Sequence, residues 1–130
     1  MLKVNWFGPD AAFHHVGLAV KSIQGVLQGD SAPVPDPVQK VNVQFIDTHG
    51  VVVELLEPLG EQSPVARSLK EKQFLLHLCF RVPDLQAAMA EGRKSGFNCI
   101  SKITPAPALN NKNIVWVLSP VFGLVELLEK

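Results

Sequence analysis

Four side chains in this sequence have the types and spacing to hold a metal ion. Glu54 lies in the string Val53-Glu54-Leu55-Leu56-Glu57, and Glu126 lies in an identical string, Val125-Glu126-Leu127-Leu128-Glu129. Each acid interrupts an apolar run, Val51 to Leu56 and Phe122 to Leu128. Burying a carboxylate there without a partner is costly, so each needs a counterpart. His15 and His77 occupy equivalent positions in HHVGLAVKSI and LHLCFRVPDL, which match at an offset of 62 residues, while the acidic strings match at 72. Two imidazoles and two carboxylates make a mixed N/O donor set for a divalent transition ion, with room for water or substrate oxygens. Co, Ni, Mn, Fe and Zn all suit it. The competing reading has both acids on exposed strands and both histidines hydrogen-bonded in the core. That reading suits any one of the residues alone; the symmetric set of four favours the metal.

The elements that must position them follow from period and punctuation. Phe13 to Val20 reads as a strand with His15, Gly17 and Ala19 on one face. Ser22 caps a short helix with Gly29 as its stop, and residues 29–38, with three prolines, read as loop. A strand carrying Val41, Val43 and Phe45 turns at Asp47-Thr48-His49-Gly50 into the strand of Glu54. Ser63-Pro64 starts a helix reaching Lys72. The order then recurs: a strand from Phe74 to Val82, a helix capped by Asp84 and closed by Gly96, a short strand from Phe97 to Ile100, a loop over 104–113, a strand from Ile114 to Leu118 and the strand of Glu126. Nine residues separate Phe45 from Glu54 and Val117 from Glu126, which predicts one register for both hairpins. By parity Glu54 and Glu126 face inward and Glu57 and Glu129 face away. Residues 1–10 read as a lead-in strand or arm.

The 130 residues suit one domain, or two small halves sharing a core. Twelve basic and twelve acidic residues cancel, so neither nucleic acid nor a membrane surface is an expected partner. Apolar runs fall far short of the roughly 20 residues of a membrane span. The start of the chain lacks the apolar segment of a secretory signal, and Cys79 and Cys99 form no paired motif, which points to a reducing cytoplasm.

The chain resembles the vicinal oxygen chelate superfamily, which includes glyoxalases, bleomycin resistance proteins and extradiol dioxygenases. Within it, methylmalonyl-CoA epimerase-like proteins are the best match. The residues carrying the likeness are HVGLAV from His15, VVVELLEPLGEQSPV from Val51, HLCFRV from His77 with Asp84-Leu85, and GLVEL from Gly123. It spans about residues 13–129. The resemblance implies an α+β fold of two βαβββ modules, about 13–60 and 74–129, forming a curved mixed β-sheet around a metal site in a single domain. It implies a divalent metal bound by His15, Glu54, His77 and Glu126, with Glu54 and Glu126 as catalytic candidates. In the family the metal holds vicinal substrate oxygens and stabilises an enolate-like anion. Epimerase-like members carry a glutamate before the strand of Val41 as a candidate proton-transfer base. Val38 stands in its place here, and Asp36 is the nearby substitute.

The expected function is a metal-dependent isomerase or lyase acting on a small carboxylate or thioester. The alternatives are a glyoxalase I-like isomerase and a non-catalytic small-molecule binding protein of the resistance type. Extradiol dioxygenase chemistry fits less well, since a fourth protein ligand fills a position that chemistry keeps open. Arg81, Cys79 and Asn111 are the candidate substrate-binding residues. His14 has the wrong parity for a ligand, His49 sits in a turn, and Trp6 and Trp116 read as packing or interface residues. A homodimer is compatible with these features.

Overall fold

The computed structural model describes residues 1–130. In chain order the elements are β1 (Ala12–Ala19), α1 (Ile23–Leu27), β2 (Val34–Asp36), β3 (Val41–Thr48), β4 (Val51–Pro58), α2 (Pro64–Lys70), β5 (Leu75–Val82), α3 (Leu85–Lys94), β6 (Asn98–Cys99), β7 (Thr104–Ala106), β8 (Lys112–Ser119) and β9 (Gly123–Glu129). Short 3-10 turns cover Gln28–Asp30 and Pro107–Leu109. The chain sorts into two compact units, one of His15–Leu76 and Ala106–Asn111, the other of Met1–His14, His77–Pro105 and Lys112–Lys130. Helices and mixed sheets occur in both, so the fold class is α+β, as expected.

In the first unit the strand order is β2-β3-β4-β1. β3 pairs antiparallel with β2 and β4, and β4 pairs parallel with β1. The β3–β4 turn is two residues, His49 and Gly50, both at positive φ (54° and 82°). That pair of left-handed residues matches the twist of a tight hairpin, and Asp47 Oδ1 pins it by accepting the Gly50 N–H at 3.1 Å. Ser22 and Ser63 cap α1 and α2 through hydrogen bonds from Gly25 N–H and Val65 N–H. Ala19, Val41, Val43, Leu56 and Val65 form the core, with Phe45, Leu69, Leu76 and Ala108 packed against it.

The second unit repeats the plan as β5-β9-β8-β6, with β7 also on β8. β5 and β9 are parallel, and β8 and β9 antiparallel. Asp84 caps α3 by accepting from Gln86 N–H and Ala87 N–H. The core joins Val82, Leu85 and Ala88 to Phe97, Val115, Val117, Val125 and Leu127, and Phe7 of the N-terminal arm inserts into it. Aromatic contacts fasten that arm: Phe7 to Phe97 at 4.9 Å, Trp6 to Phe122 at 4.6 Å and Trp6 to Phe97 at 5.2 Å between ring centroids. Gly92 on α3 makes room for it, since a Cβ there would stand 2.9 Å from Phe7 Cε1.

Several local expectations are corrected. Of the strand or arm expected over residues 1–10, the structure has the arm, with turns and no strand. Val34–Asp36, expected as loop, is a short strand on β3. Proline is tolerated there because β2 is an edge strand whose missing N–H donors face no partner. Gln28, at φ 54°, ends α1 in place of Gly29. The 104–113 stretch holds β7 and a 3-10 turn. The hairpins differ in register: Phe45 pairs with Glu54, but Trp116, not Val117, pairs with Glu126. The cause is a three-residue connection, residues 120–122, after Ser119↔Gly123, one longer than the two-residue turn after Thr48↔Val51.

Candidate metal centre

In the first unit the parallel ladder sets Gly17 opposite Glu54. His15 lies two residues back on the same face, a diagonal neighbour on the adjacent strand. His15 Nε2 stands 3.3 Å from Glu54 Oε1. In the second unit the ladder sets Cys79 opposite Glu126, and His77 again lies two residues back. Here Nε2 stands 3.7 Å from Glu126 Oε1. The geometry is one design built twice. All four residues are buried: His15 at 0%, Glu54 at 5%, His77 at 6% and Glu126 at 2% exposure.

An aromatic ring flanks each histidine. Phe45, across the ladder from Glu54, meets the His15 ring at 5.1 Å and 73°. Trp116, across from Glu126, meets the His77 ring at 4.7 Å and 86°. Such edge-to-face packing fixes ring orientation and leaves little freedom for the imidazoles.

The spacing within each pair is compatible with a shared ion as well as with an ion pair. A charge-assisted N–H···O bond is about 2.7–2.9 Å long. Two donors each about 2.0–2.2 Å from one ion, at angles between square and tetrahedral, stand roughly 3–3.6 Å apart. The observed 3.3 and 3.7 Å fall at or near the second range. The donor chemistry, imidazole with carboxylate, suits a first-row divalent ion. Each His–Glu pair therefore supplies two donors that suit a divalent ion.

The second acid of each string does different work. Glu57 accepts from Ile23 N–H at 3.0 Å and from Asn42 Nδ2 at 2.8 Å, which ties β4 to α1 and β3. Glu129 accepts from Asn113 N–H at 2.7 Å and Asn113 Nδ2 at 3.4 Å. Both are half-buried, against the full burial of Glu54 and Glu126, in keeping with their opposite parity. Sequence reasoning missed Asn42 and Asn113 as partners. Their signal was present: each is a polar residue directly across its hairpin from the second acid.

Among the other candidates, Cys79 is buried beside Glu126, while Arg81 is exposed near the end of β5. Asn111 is exposed at φ 58°, its N–H donating to Ala106 O at 3.0 Å. His14 is half-buried and His49 exposed. Asp36 is buried, and its Oδ1 accepts from both Val38 N–H at 3.1 Å and Gln39 N–H at 3.0 Å. It closes the turn into β3. Val38, where the epimerase-like pattern has its glutamate, is exposed.

Known proteins share this sequence pattern and fold. Residues 14–115 match the model of the Glyoxalase/Bleomycin resistance protein/Dioxygenase superfamily. An ethylmalonyl-CoA/methylmalonyl-CoA epimerase of Cereibacter sphaeroides is 32% identical over 100 residues, covering 74% of this chain and 75% of the relative. The human mitochondrial methylmalonyl-CoA epimerase is 29% identical over 101 residues, 68% of this chain and 56% of that protein. The crystal structure of methylmalonyl-CoA epimerase from Mycobacterium tuberculosis superposes with a TM-score of 0.77 at 21% identity, covering 99% of this chain and 92% of that one, a likeness of fold.

Proposed function

The chain belongs to the Glyoxalase/Bleomycin resistance protein/Dioxygenase superfamily, and from that premise we propose that it is a metal-dependent isomerase or lyase of the methylmalonyl-CoA epimerase type. In this reading residues 1–130 form one superfamily domain, and His15, Glu54, His77 and Glu126 hold one divalent ion between them. The observation that carries the reading is the repeat of the same buried His–Glu pair in each unit, at 3.3 and 3.7 Å. The substrate class is a small carboxylate or a thioester such as the coenzyme A esters named for the relatives. Bound there, the metal supplies Lewis-acid polarisation of a substrate oxygen, which stabilises an enolate-like anion.

The chain's own residues do the rest. Glu54 and Glu126, the catalytic candidates, offset the charge of the ion and hold the imidazoles in place. Phe45 and Trp116 hold the two histidine rings edge-to-face, so the donor atoms need little reorganisation. Each His–Glu pair is buried within its own unit, which strengthens the charge interactions of its donors. Arg81, exposed on the strand of His77, offers a cation to an anionic substrate group, and Cys79 and Asn111 complete the proposed substrate contacts. Two free cysteines, one of them exposed, accord with a reducing cytoplasm. No helix is long and apolar enough to cross a membrane. A homodimer is part of the same proposal.

One observation favours a second reading, a small-molecule binding protein without chemistry. Val38 cannot move a proton, and Asp36 spends Oδ1 on two backbone N–H groups of its turn. Purified protein loaded with Co²⁺ and assayed for exchange of the α-proton of methylmalonyl-CoA into deuterated water tests the first reading. Exchange lost in Glu126→Gln supports it. Metal and thioester binding without exchange transfers the assignment to the binding protein, and turnover of the glutathione hemithioacetal would move it to a glyoxalase I-like isomerase.

A further inference from the structure

The equivalent aromatic positions of the two units differ in one chemical respect. Phe45 and Trp116 each sit directly across a hairpin from the buried glutamate, and each stands edge-to-face on the paired histidine. As packing groups they are alike. Trp116 adds an N–H, and that indole nitrogen is buried with no hydrogen-bond partner within the chain. Buried donors in folded proteins are almost always satisfied, and one left alone carries a desolvation cost that phenylalanine would avoid at the same place. Phe45 demonstrates that an indole is not required to pack this geometry. The N–H therefore calls for an acceptor that the protein does not itself supply.

Its surroundings limit what that acceptor is. The ring rests on His77, and its strand partner is Glu126. Both residues are ligands in the proposed metal centre, so a molecule engaging them enters beside the indole. We infer that the Trp116 N–H is a hydrogen-bond donor reserved for an oxygen of the ligand held at the His77–Glu126 pair, a carboxylate or an enolisable carbonyl. This deepens the reading above and rests on it. A neutral donor beside an oxygen that gains negative charge stabilises that charge without repelling the metal. It also separates the two units by task. The first presents only a hydrocarbon ring at its histidine, while the second presents a polar handle, so an asymmetric ligand would have its oxygen-rich end fixed at the second.

The test uses the zinc-loaded full chain with malonate as the probe. In ¹⁵N-labelled protein, Trp6→Phe identifies which of the two indole N–H signals belongs to Trp116. Saturation with malonate moves that signal downfield, as hydrogen bonding does, while the Trp6 signal stays. Calorimetry on Trp116→Phe then gives zinc affinity within about threefold of wild type and malonate affinity about 10–100-fold weaker, the range for a hydrogen bond to a charged group. An unmoved Trp116 signal in protein saturated with malonate overturns the inference, whatever the variant does. Unchanged malonate affinity in Trp116→Phe also overturns it and leaves the metal reading intact. Wild-type protein that binds none of Zn²⁺, Co²⁺, Ni²⁺, Mn²⁺ and Fe²⁺ refutes that reading, and this inference falls with it.

Discussion

Two glutamates three residues apart in one strand should fail in opposite ways. Glu54 is proposed as a metal ligand, and Glu57 holds β4 to α1 and β3. Replacing Glu57 by Ala removes an acceptor for Ile23 N–H at 3.0 Å and for Asn42 Nδ2 at 2.8 Å. Bonds to a charged acceptor contribute about 1.5–3 kcal/mol each when buried. Half-burial and loss of the intrinsic cost of ordering the side chain reduce the sum to about 2 kcal/mol. For a chain of this size that is a fall in Tm of about 6–12 °C. Saturating metal, at a hundred times its Kd, stabilises the folded chain by about 2.7 kcal/mol and raises Tm by about 8–16 °C. Glu57→Ala keeps that whole increment on its lower baseline. Glu54→Gln behaves otherwise. Loss of a direct ligand weakens binding by about 100-fold, at or beyond the upper end for second-sphere partners. At the same metal concentration the increment then shrinks to about 0.4 kcal/mol, or about 1–2 °C. The assay is a thermal melt of three proteins, each stripped with chelator and then titrated with Zn²⁺ or Co²⁺. The reasoning is refuted if Glu54→Gln retains the wild-type increment, or if Glu57→Ala loses it.

Metal analysis by plasma spectrometry should find one divalent ion per chain, and two per chain would show the His–Glu pairs acting separately. Gly92→Ala, whose Cβ would press on Phe7 at 2.9 Å, should unseat the N-terminal arm; limited proteolysis should then cut before Ala12, where wild type resists, and an unchanged digestion pattern counts against the packing role given to the arm. Ser119→Ala removes the acceptor for Val121 N–H and Phe122 N–H at 3.1 Å each; urea melts should show a loss of about 1–2 kcal/mol with metal affinity unchanged. Phe97→Ala empties the centre of the second unit's core, where the ring is fully buried, and should cost about 3–5 kcal/mol, measured the same way.

The ligand candidates were legible because strand parity is a local rule. His15 and Gly17 alternate with Val16 in sequence and in burial alike. The repeat of one string in two halves then turned two local patterns into a statement about equivalence. Register was not legible, because it depends on turn length, and Pro120 to Phe122 give no strong signal of a two- or three-residue turn. Val34–Asp36 was hidden for a related reason. Three prolines argue against a strand on propensity, yet an edge needs donors on one side only. The arm was among the readings of residues 1–10, but its partner was not legible, because nothing local to Trp6-Phe7 predicts Phe97, ninety residues on; that contact depends on tertiary packing. The partners of Glu57 and Glu129 lay in the same gap, since pairing across a hairpin requires the register first.

Neither compact unit is a continuous piece of chain. The first takes Ala106–Asn111 from late in the sequence, and that loan seats Ala108 against the core of Val41 and Val43. The second takes Met1–His14 from the start, with Phe7 in its core. A gene divided after Leu76, between the repeated modules, would therefore give two fragments that each lack part of their own interior. Such fragments should be poorly structured alone and gain order when mixed, as a split reporter does. A permuted chain opened within Gly60–Gln62, where the backbone is exposed, should instead need only a linker from Lys130 to Met1, since every borrowed segment remains covalently attached to its neighbours. The ancestry suggested by the duplicated strings is thus no longer a seam along which the modern chain can be cut.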